Sequence, residues 1–262
     1  MKYTAPFIAV IVALAIPALA NDSVPGGITE VSVRYSSGWI GRMYSVWLKA
    51  DGTAIFRGDR RVPRLGTFQS QFPKGEFAKL AAYLVEIGYA SLDKDQNRRG
   101  TDGSSFLITI KPTNGKPKEI LLHNPEDLTA PPKLWAIKHI VDSLTSDLPW
   151  EDYSDSPSDM KPTDPTEIII PEFKLPAQPP GRVSLQRVAE HAWLCSHEFD
   201  AHAQGVNIVL DVSESKRTSE TIAIDMTNQS VAHILNHVAS LEGLTLTHKG
   251  RTIVIREKPG SL

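Results

Sequence analysis

The hydrophobic and polar positions in the first half of the chain follow two periods, one typical of strands and one typical of helices. Five runs have the alternating or aromatic-rich composition of strands, at 31–35, 44–50, 53–57, 106–110 and 119–123. Asp51 and Gly52 separate the second run from the third and accept the backbone angles of a tight hairpin turn. Apolar residues recur at helical spacing from Lys74 to Gly88, and Pro132 starts a second helical stretch. The pattern predicts an antiparallel sheet covered by two helices over residues 28–145.

The pattern over residues 168–258 predicts a second domain with the element order β-α-β-β-α-β-β. Its strand-like runs lie at 168–175, 206–212, 221–226, 244–248 and 252–256. Ser184 and Ser230 each precede an apolar helical period and are suited to cap a helix, and Gly205 and Gly243 are suited to end the two helices. The predicted fold class is α+β, with one small α/β sandwich in each half of the chain.

A change in composition separates the two predicted domains. Residues 146–167 contain seven acidic side chains, four prolines and a single lysine, Lys161. Such a segment buries too little apolar surface to offset the entropy lost on ordering. We therefore predict a flexible acidic linker that is rich in proline and serine.

The first 20 residues have the parts of a secretory signal peptide. Lys2 precedes an apolar run over residues 5–18, and Ala18 and Ala20 are the small residues of a cleavage site. The run is shorter than the roughly 20 apolar residues of a membrane-spanning helix. The sequence therefore predicts cleavage near Ala20, no integral membrane span in the mature chain, and a periplasmic or secreted location.

Composition and motifs narrow the classes of function. The formal net charge is −2 with both signs mixed along the chain, which gives no basic footprint for nucleic acid. Cys195 is the single cysteine, so an internal disulfide is excluded although the predicted compartment is oxidising. Because no phosphate-binding loop or nucleophile motif accompanies the histidines, we expect neither a cofactor nor an enzymatic activity.

A histidine-rich stretch raises the question of a metal site. At about 100° per residue, His191, Cys195, Glu198 and His202 project within a narrow arc of one helix. Ligands on one helix do not close a tetrahedron around zinc unless another element contributes. A metal site at His191, Cys195 and His202 is one interpretation. Surface histidines beside a cysteine that behaves as a small hydrophobic residue are the interpretation that we favour.

Two further groups of side chains are candidates for ligand contact. Trp39 and Trp47 are able to line a groove, although aromatic residues on strands also serve as packing. A local basic cluster follows the third strand-like run and consists of Arg57, Arg60, Arg61 and Arg64. We interpret this cluster as a solvated loop, with contact to an anionic partner as the alternative.

Several residues of the first domain give it a family resemblance. They are Tyr44 before the hairpin, Asp51-Gly52 in the turn, Gly58 after the return strand, Gly88 after the helix, and Thr101-Asp102 before the next strand. With these residues, positions 28–145 resemble a bacterial exported family, domain of unknown function 6438, which has no assigned activity. Members of that family commonly carry a cysteine pair just before the tyrosine. This chain has SSGWIGRMY there, over residues 36–44, so it lacks that pair.

The second domain resembles a different family. The run GVNIVLDV (205–212) is followed by Asn228-Gln229-Ser230 before a helix and by Gly243-Leu244-Thr245 before a closing hairpin. This pattern is similar to the short N-terminal domain shared by secretins and TonB-dependent receptors. The resemblance implies an interaction module that contacts partner proteins at the cell envelope and brings no catalytic residues.

Three hypotheses for the function follow. The first is an exported, non-enzymatic envelope protein whose C-terminal domain docks a partner protein through an exposed strand edge. That edge is predicted either at 168–175 or in the last strand, at Thr252, Ile253, Val254 and Ile255. The second is a periplasmic sensor that binds a small ligand beside Trp39 and Trp47. The third is a metal-dependent hydrolase, and the oligomeric state is left open by the sequence.

Overall fold

A computed structural model describes residues 24–37, 41–93, 95–96, 103–123, 131–153, 164–175, 182–200 and 204–258 of the chain. Within these ranges the protein is a mixed α+β fold that is mostly sheet, with five α-helices. The predicted α+β class is therefore confirmed. The predicted signal peptide lies outside the described residues. Among the helices that the structure describes, none combines the length and the apolar character needed to cross a membrane.

The N-terminal half runs from β1 to β8. Its elements are β1 (Ile28–Ser37), β2 (Met43–Lys49), β3 (Thr53–Arg60), β4 (Arg64–Gln71), α1 (Lys74–Glu86), β5 (Asp95–Gln96), β6 (Ser104–Pro112), β7 (Lys118–His123), α2 (Pro132–Thr145) and β8 (Glu151–Asp152). Short 3-10 turns lie before β1, at Pro25–Gly27, and between α1 and β5, at Tyr89–Ser91.

The C-terminal half runs from β9 to β15. Its elements are β9 (Ile169–Lys174), β10 (Val183–Ser184), α3 (Leu185–Phe199), β11 (Asn207–Asp211), α4 (Glu214–Thr218), β12 (Glu220–Ile222), β13 (Asp225–Ser230), α5 (Val231–Leu241), β14 (Leu244–Lys249) and β15 (Thr252–Glu257). The predicted strand at 221–226 is thus divided between β12 and β13, and the short helix α4 was not predicted.

Local signals in the sequence place most of the element boundaries correctly. Gly52 has a φ of +91° in the β2–β3 turn, where the Asp51 carboxylate accepts a hydrogen bond from the backbone N–H of Thr53 at 2.8 Å. Ser184 caps α3 by accepting a hydrogen bond from the backbone of Arg187, at 3.3 Å. Ser230 caps α5 in the same way.

The two predicted sheets are continuous in the structure. The strand order is β14-β15-β11-β4-β3-β2-β1-β6-β7-β5, and β8 lies beside β4. The junction is formed by β11 and β4, which pair antiparallel with Ile208 opposite Leu65 and Val209 opposite Arg64. Two small sheets, β10 with β12 and β9 with β13, complete the C-terminal half.

The strand at this junction, β4, is missing from the sequence prediction. Its sequence RLGTFQSQ has a glycine at the third position and three consecutive polar residues at its end, which is weak strand composition. In the structure β4 pairs with β3 on one side, and its other side is shared by β11 and β8. The arginine cluster, interpreted from sequence as a solvated loop, therefore spans β3, the β3–β4 turn and the start of β4.

Hydrophobic residues form two cores, and their boundary differs from the predicted domain boundary. In the first core the sheet packs against α1 and α2 through residues such as Phe77, Leu80 and Leu134. The second core lies around α3, α5 and β11, but it also includes Val62 and Leu65 of the N-terminal half. The two halves therefore share apolar packing as well as a sheet.

The beginning of the predicted linker is folded against β4. Strand β8 pairs with Phe68 and Gln69, and the Ser70 hydroxyl donates a hydrogen bond to the carbonyl of Pro149 at 3.0 Å. The Asp152 carboxylate accepts hydrogen bonds from Asn207 and Thr252 of the C-terminal half. This corrects the prediction of a flexible linker for residues 149–153, because they have specific partners in both halves. Residues 154–163 lie outside the described part of the chain.

The predicted exposed edge at the last strand is wrong. Thr252, Ile253, Val254 and Ile255 belong to β15, which pairs antiparallel with β14 on one side and parallel with β11 on the other. Ile253 and Ile255 are fully buried in the second core. The outer strand at this end of the large sheet is β14. The other predicted edge corresponds to β9, which pairs with β13 in the described structure.

Candidate ligand-binding cleft between the two halves

A cleft opens where two turns of the N-terminal half face the helices α3 and α4. The end of β1, Gly41 and Arg42 before β2, and the β3–β4 turn contribute to one wall, and residues of α3, α4 and β12 contribute to the other. The volume of this open cleft is about 870 Å³, which is the size of a small-molecule site. We call this space the arginine cavity, after its most frequent side chain.

The β3–β4 turn is held in place by α3. Arg61 has a φ of +51°, and its backbone N–H donates a hydrogen bond to the Glu190 carboxylate. The Gln186 amide donates to the carbonyl of Val62 at 3.1 Å and also to Glu190 at 3.0 Å. These contacts fix the turn, so the two arginines that it presents to the cavity have a defined position.

Positive side chains outnumber negative ones around the arginine cavity. Its arginines are Arg42, Arg60, Arg61, Arg187 and Arg217, and its glutamates are Glu190, Glu214 and Glu220. Glu214 forms an ion pair with Arg42 at 3.0 Å across the cleft. Glu190 is committed to the backbone of Arg61 and to Gln186. The acidic groups therefore leave part of the positive charge without a counter-charge.

Three of these guanidinium groups are not bonded to an acceptor among the described residues. Those of Arg61, Arg187 and Arg217 make no hydrogen bond and no ion pair with any other described residue. Arg61 and Arg187 are solvent-exposed, whereas Arg217 is half-buried and its Nε is shielded from water without an acceptor. Burial lowers the pKa of Arg217, Glu214 opposes this shift, and nearby Arg42 adds to it. An oxyanion beside Arg217 would relieve this electrostatic cost.

A second cavity of about 400 Å³ adjoins the first. Arg42 and Arg217 line both spaces and so lie between them. The wall of the second cavity includes Tyr44, Val46, Phe56 and Trp150, so we call it the aromatic cavity. The ring centroids of Tyr44 and Phe56 are 5.9 Å apart, and those of Phe56 and Trp150 are 5.7 Å apart. The result is a continuous aromatic surface next to two arginines.

The acidic residue in the aromatic cavity, Asp142, already has partners. Its carboxylate accepts a hydrogen bond from the Tyr44 hydroxyl at 3.2 Å and forms an ion pair with Lys138. Burial, together with the charge of Asp142, raises the pKa of Tyr44, which therefore remains a neutral donor. The negative charge in this cavity is thus compensated, and it does not oppose an anion.

The proposed metal ligands are brought together only in part. The Sγ of Cys195 lies 3.7 Å from the Nε2 of His191, whose ring packs against Phe173. His202 lies outside the described residues. The part of the chain that the structure describes contains no group of three His, Cys, Asp or Glu side chains able to hold a metal ion. Burial raises the pKa of the Cys195 thiol and lowers that of His191, with Arg187 adding to the latter shift.

The structure describes one of the two tryptophans that were candidates for a ligand groove. Trp39 is not among the described residues, and Trp47 is half-buried on β2 and lines neither cavity. Of the candidate metal ligands, His191 reaches the cleft and lines the arginine cavity from α3.

Sequence reasoning identified only part of the arginine set. Arg60 and Arg61 were recognised as a basic cluster, and Arg64 of the same cluster lines the aromatic cavity. The fourth member, Arg57, is paired with Asp59 at 2.9 Å. Arg187 and Arg217 gave no signal, because their proximity to the turn depends on the β4–β11 junction.

Comparisons with known proteins bear on the N-terminal half. The comparison with curated proteins and the comparison with solved structures gave no match. The resemblance of the C-terminal half to the secretin and TonB-dependent receptor domain has no support from these comparisons and stays a prediction. Residues 42–145 match the model of the family described as Domain of unknown function (DUF6438).

Proposed function

We propose that the protein is an exported, non-enzymatic binding protein that holds a small anionic ligand in the cleft between its two halves. The observation that carries this proposal is the convergence on one cavity of Arg61, Arg187 and Arg217, whose guanidinium groups make no hydrogen bond or ion pair among the described residues. Arginine stays charged at all physiological pH values, and a partly buried cation without a partner costs free energy. An anionic ligand would offset that cost.

The chemistry of the cavity favours an oxyanion. Guanidinium groups present several N–H donors in one plane and pair with carboxylate or phosphate oxygens through two parallel hydrogen bonds. The arginines of the N-terminal wall, Arg42, Arg60 and Arg61, lie within the range that matches the family model, and the other wall lies outside it. A ligand that contacts both walls would bridge the two halves. This geometry supports the hypothesis of a small-ligand sensor. We propose that its ligand binds at the arginines, rather than beside Trp39 and Trp47 as expected from the sequence.

Two further observations support the exported and non-enzymatic parts of the proposal. Lys2, the apolar run at 5–18 and the small residues before Asn21 have the pattern of a signal peptide. The single thiol, Cys195, is buried and has a raised pKa, which disfavours the nucleophilic thiolate form. A protein with this combination is better suited to binding than to catalysis.

Calorimetric titration of the purified protein with inorganic phosphate, pyrophosphate and succinate tests the proposal. We expect saturable binding of at least one of these anions. Replacing Arg217 with glutamine should weaken that binding about tenfold or more, since a charge-assisted hydrogen bond is lost. Arg57→Gln is the matched control, because Arg57 is paired with Asp59 and lines neither cavity. Absence of saturable binding, or equal losses in the two variants, would contradict the proposal.

A second candidate function, protein docking, is favoured by the position of β14. This strand pairs with β15 on one side, and it is the last strand at its end of the large sheet in the described structure. Its residues from Thr247 to Lys249 are exposed. An unpaired edge offers backbone hydrogen bonds to an extended strand of a partner protein. We therefore propose β14, rather than β15, as the docking strand for an envelope protein.

Site-specific cross-linking in the native cell envelope tests the docking proposal. A photoreactive residue at Thr247 on β14 should form an adduct with one extended-strand partner, identified by mass spectrometry. The same residue at Arg57, exposed on β3, is the control and should not form that adduct. The same mixture of adducts at both positions, or none at Thr247 in a folded protein, would exclude docking at this edge.

A further inference from the structure

We infer that the ligand of the cleft is an amphiphilic oxyanion, with its acidic group in the arginine cavity and an aromatic or acyl body in the aromatic cavity. This inference rests on the proposed anion-binding function and adds the second half of the ligand. The two cavities share Arg42 and Arg217 as lining residues. An acidic group held by these two arginines therefore has access to both cavities.

The apolar wall is the reason to extend the ligand beyond its acidic group. Val46 is buried, and the rings of Tyr44, Phe56 and Trp150 are half-buried along the aromatic cavity. The aromatic rings are therefore packed on one side and exposed to the open cavity on the other. Covering such surface with an apolar group is favourable, in proportion to the area removed from water. A purely polar anion would leave this wall exposed.

The polar groups of the aromatic cavity fit the same ligand. Asp142 is compensated by Lys138 and Tyr44, so it presents little repulsion to an anion nearby. Arg64 lines the cavity without an ion pair among the described residues, and burial lowers its pKa although Asp211 opposes the shift. An anionic group near Arg64 or Arg217 would therefore be stabilised. The volume of about 400 Å³ accommodates one ring system or a short acyl chain.

The two cavities together limit the expected ligand to a narrower chemical class than anions in general. A highly charged, fully hydrophilic anion would use only the arginine cavity, and a neutral aromatic compound would use only the aromatic cavity. A compound that combines one oxyanion with an aryl or acyl group uses both. Its two parts need to be adjacent, because Arg42 and Arg217 line both spaces.

A matched series of probes tests this inference with the intact protein. The probes are 2-naphthyl phosphate, inorganic phosphate and 2-naphthol, each titrated by calorimetry. We expect 2-naphthyl phosphate to bind at least about tenfold more tightly than either fragment, because the ring adds buried apolar area to the ionic contact. This comparison uses the unaltered protein, so it does not depend on whether a variant folds.

Two variants separate the inference from the function on which it rests. Trp150→Leu removes a ring of the aromatic wall and should lower the affinity for 2-naphthyl phosphate about tenfold, while leaving the affinity for inorganic phosphate unchanged. Trp150→Phe keeps a ring and should restore most of the affinity. Arg217→Gln should weaken both anionic probes, and thermal unfolding confirms that each variant is folded.

The outcomes are distinct. If 2-naphthyl phosphate binds no more tightly than inorganic phosphate, the amphiphilic ligand is excluded, although anion binding is retained. If neither anion binds, both the inference and the proposed function fail. If Trp150→Leu lowers the affinity for both anions equally, the aromatic cavity does not hold the ring and the inference is overturned.

Discussion

Replacing Gly66 with alanine is expected to lower the free energy of unfolding by about 4 kcal/mol. Gly66 has a φ of +109°, and a Cβ added there would lie 1.9 Å from the Oδ1 and 2.7 Å from the Cγ of Asn207. No shift of a flexible side-chain end relieves this overlap, because Asn207 is buried and held by hydrogen bonds. The expected loss combines backbone strain in β4 with disruption of the β4–β11 junction.

The asparagine that meets this glycine joins three strands. Its Oδ1 accepts a hydrogen bond from the backbone N–H of Thr67 at 3.0 Å, and its Nδ2 donates to the Thr67 carbonyl at 3.0 Å. The Nδ2 also donates to the Asp152 carboxylate of β8 at 2.9 Å. Burial raises the pKa of that carboxyl group, and the hydrogen bond from Asn207 opposes the shift. Displacing Asn207 leaves buried polar groups of β4 and β8 without partners.

Chemical denaturation of the natural protein and four variants measures this effect. Gly243→Ala is the matched control, because Gly243 also has a positive φ, +68°, but nothing lies within 4 Å of its added Cβ. We expect the control to lose about 1 to 2 kcal/mol from backbone strain alone. In the background of Asn207→Ala, the Gly66→Ala substitution should cost much less than in the natural protein. If Gly66→Ala costs no more free energy of unfolding than Gly243→Ala, the contact between Gly66 and Asn207 contributes little to stability. The same conclusion follows if the costs of Gly66→Ala and Asn207→Ala are fully additive.

The parts of the fold that were predictable depend on neighbouring residues. Asp51 with Gly52, Ser184 and Ser230 act within two or three positions of themselves, so their roles are readable from the sequence. The apolar periods of α1, α2, α3 and α5 are also local, since each records a face of one element. These local signals predict the helices and strands, but they do not predict which strands pair with each other.

The parts that were missed depend on contacts between distant residues. Asn207 and Thr67 are 140 positions apart in the sequence. An asparagine at the start of a strand does not by itself predict that its side chain makes three hydrogen bonds. Gly66 weakens the strand composition of β4, although its lack of a Cβ is what admits the Asn207 side chain. The arginine cavity has the same origin, because Arg187 and Arg217 approach the β3–β4 turn only once β11 has paired with β4. Composition alone therefore favoured a solvated loop for a cluster that faces a cleft.

The shared core leads to a second large effect, at Leu65. This residue belongs to β4 of the N-terminal half, yet it is fully buried in the core that lies around α3 and α5. Replacing Leu65 with alanine removes apolar contacts and leaves a cavity, and we expect a loss of about 3 kcal/mol in the free energy of unfolding. Because Ile208 lies opposite Leu65 across the junction, the loss should be felt directly by β11.

Amide hydrogen exchange distinguishes a shared core from two independent domains. Leu48→Ala is the matched control, since Leu48 is equally buried but belongs to the first core. If the halves unfold together, both variants should accelerate exchange at Ile208 and Ile253 in the C-terminal half and at Ile108 in the N-terminal half. If Leu65→Ala leaves Ile208 and Ile253 protected, its side chain contributes nothing to the second core and the halves are separable. Faster exchange in both halves would mean that the two walls of the cleft keep a fixed spacing only while β4 and β11 remain paired. Anion affinity should then fall in Leu65→Ala, although no cleft residue is changed.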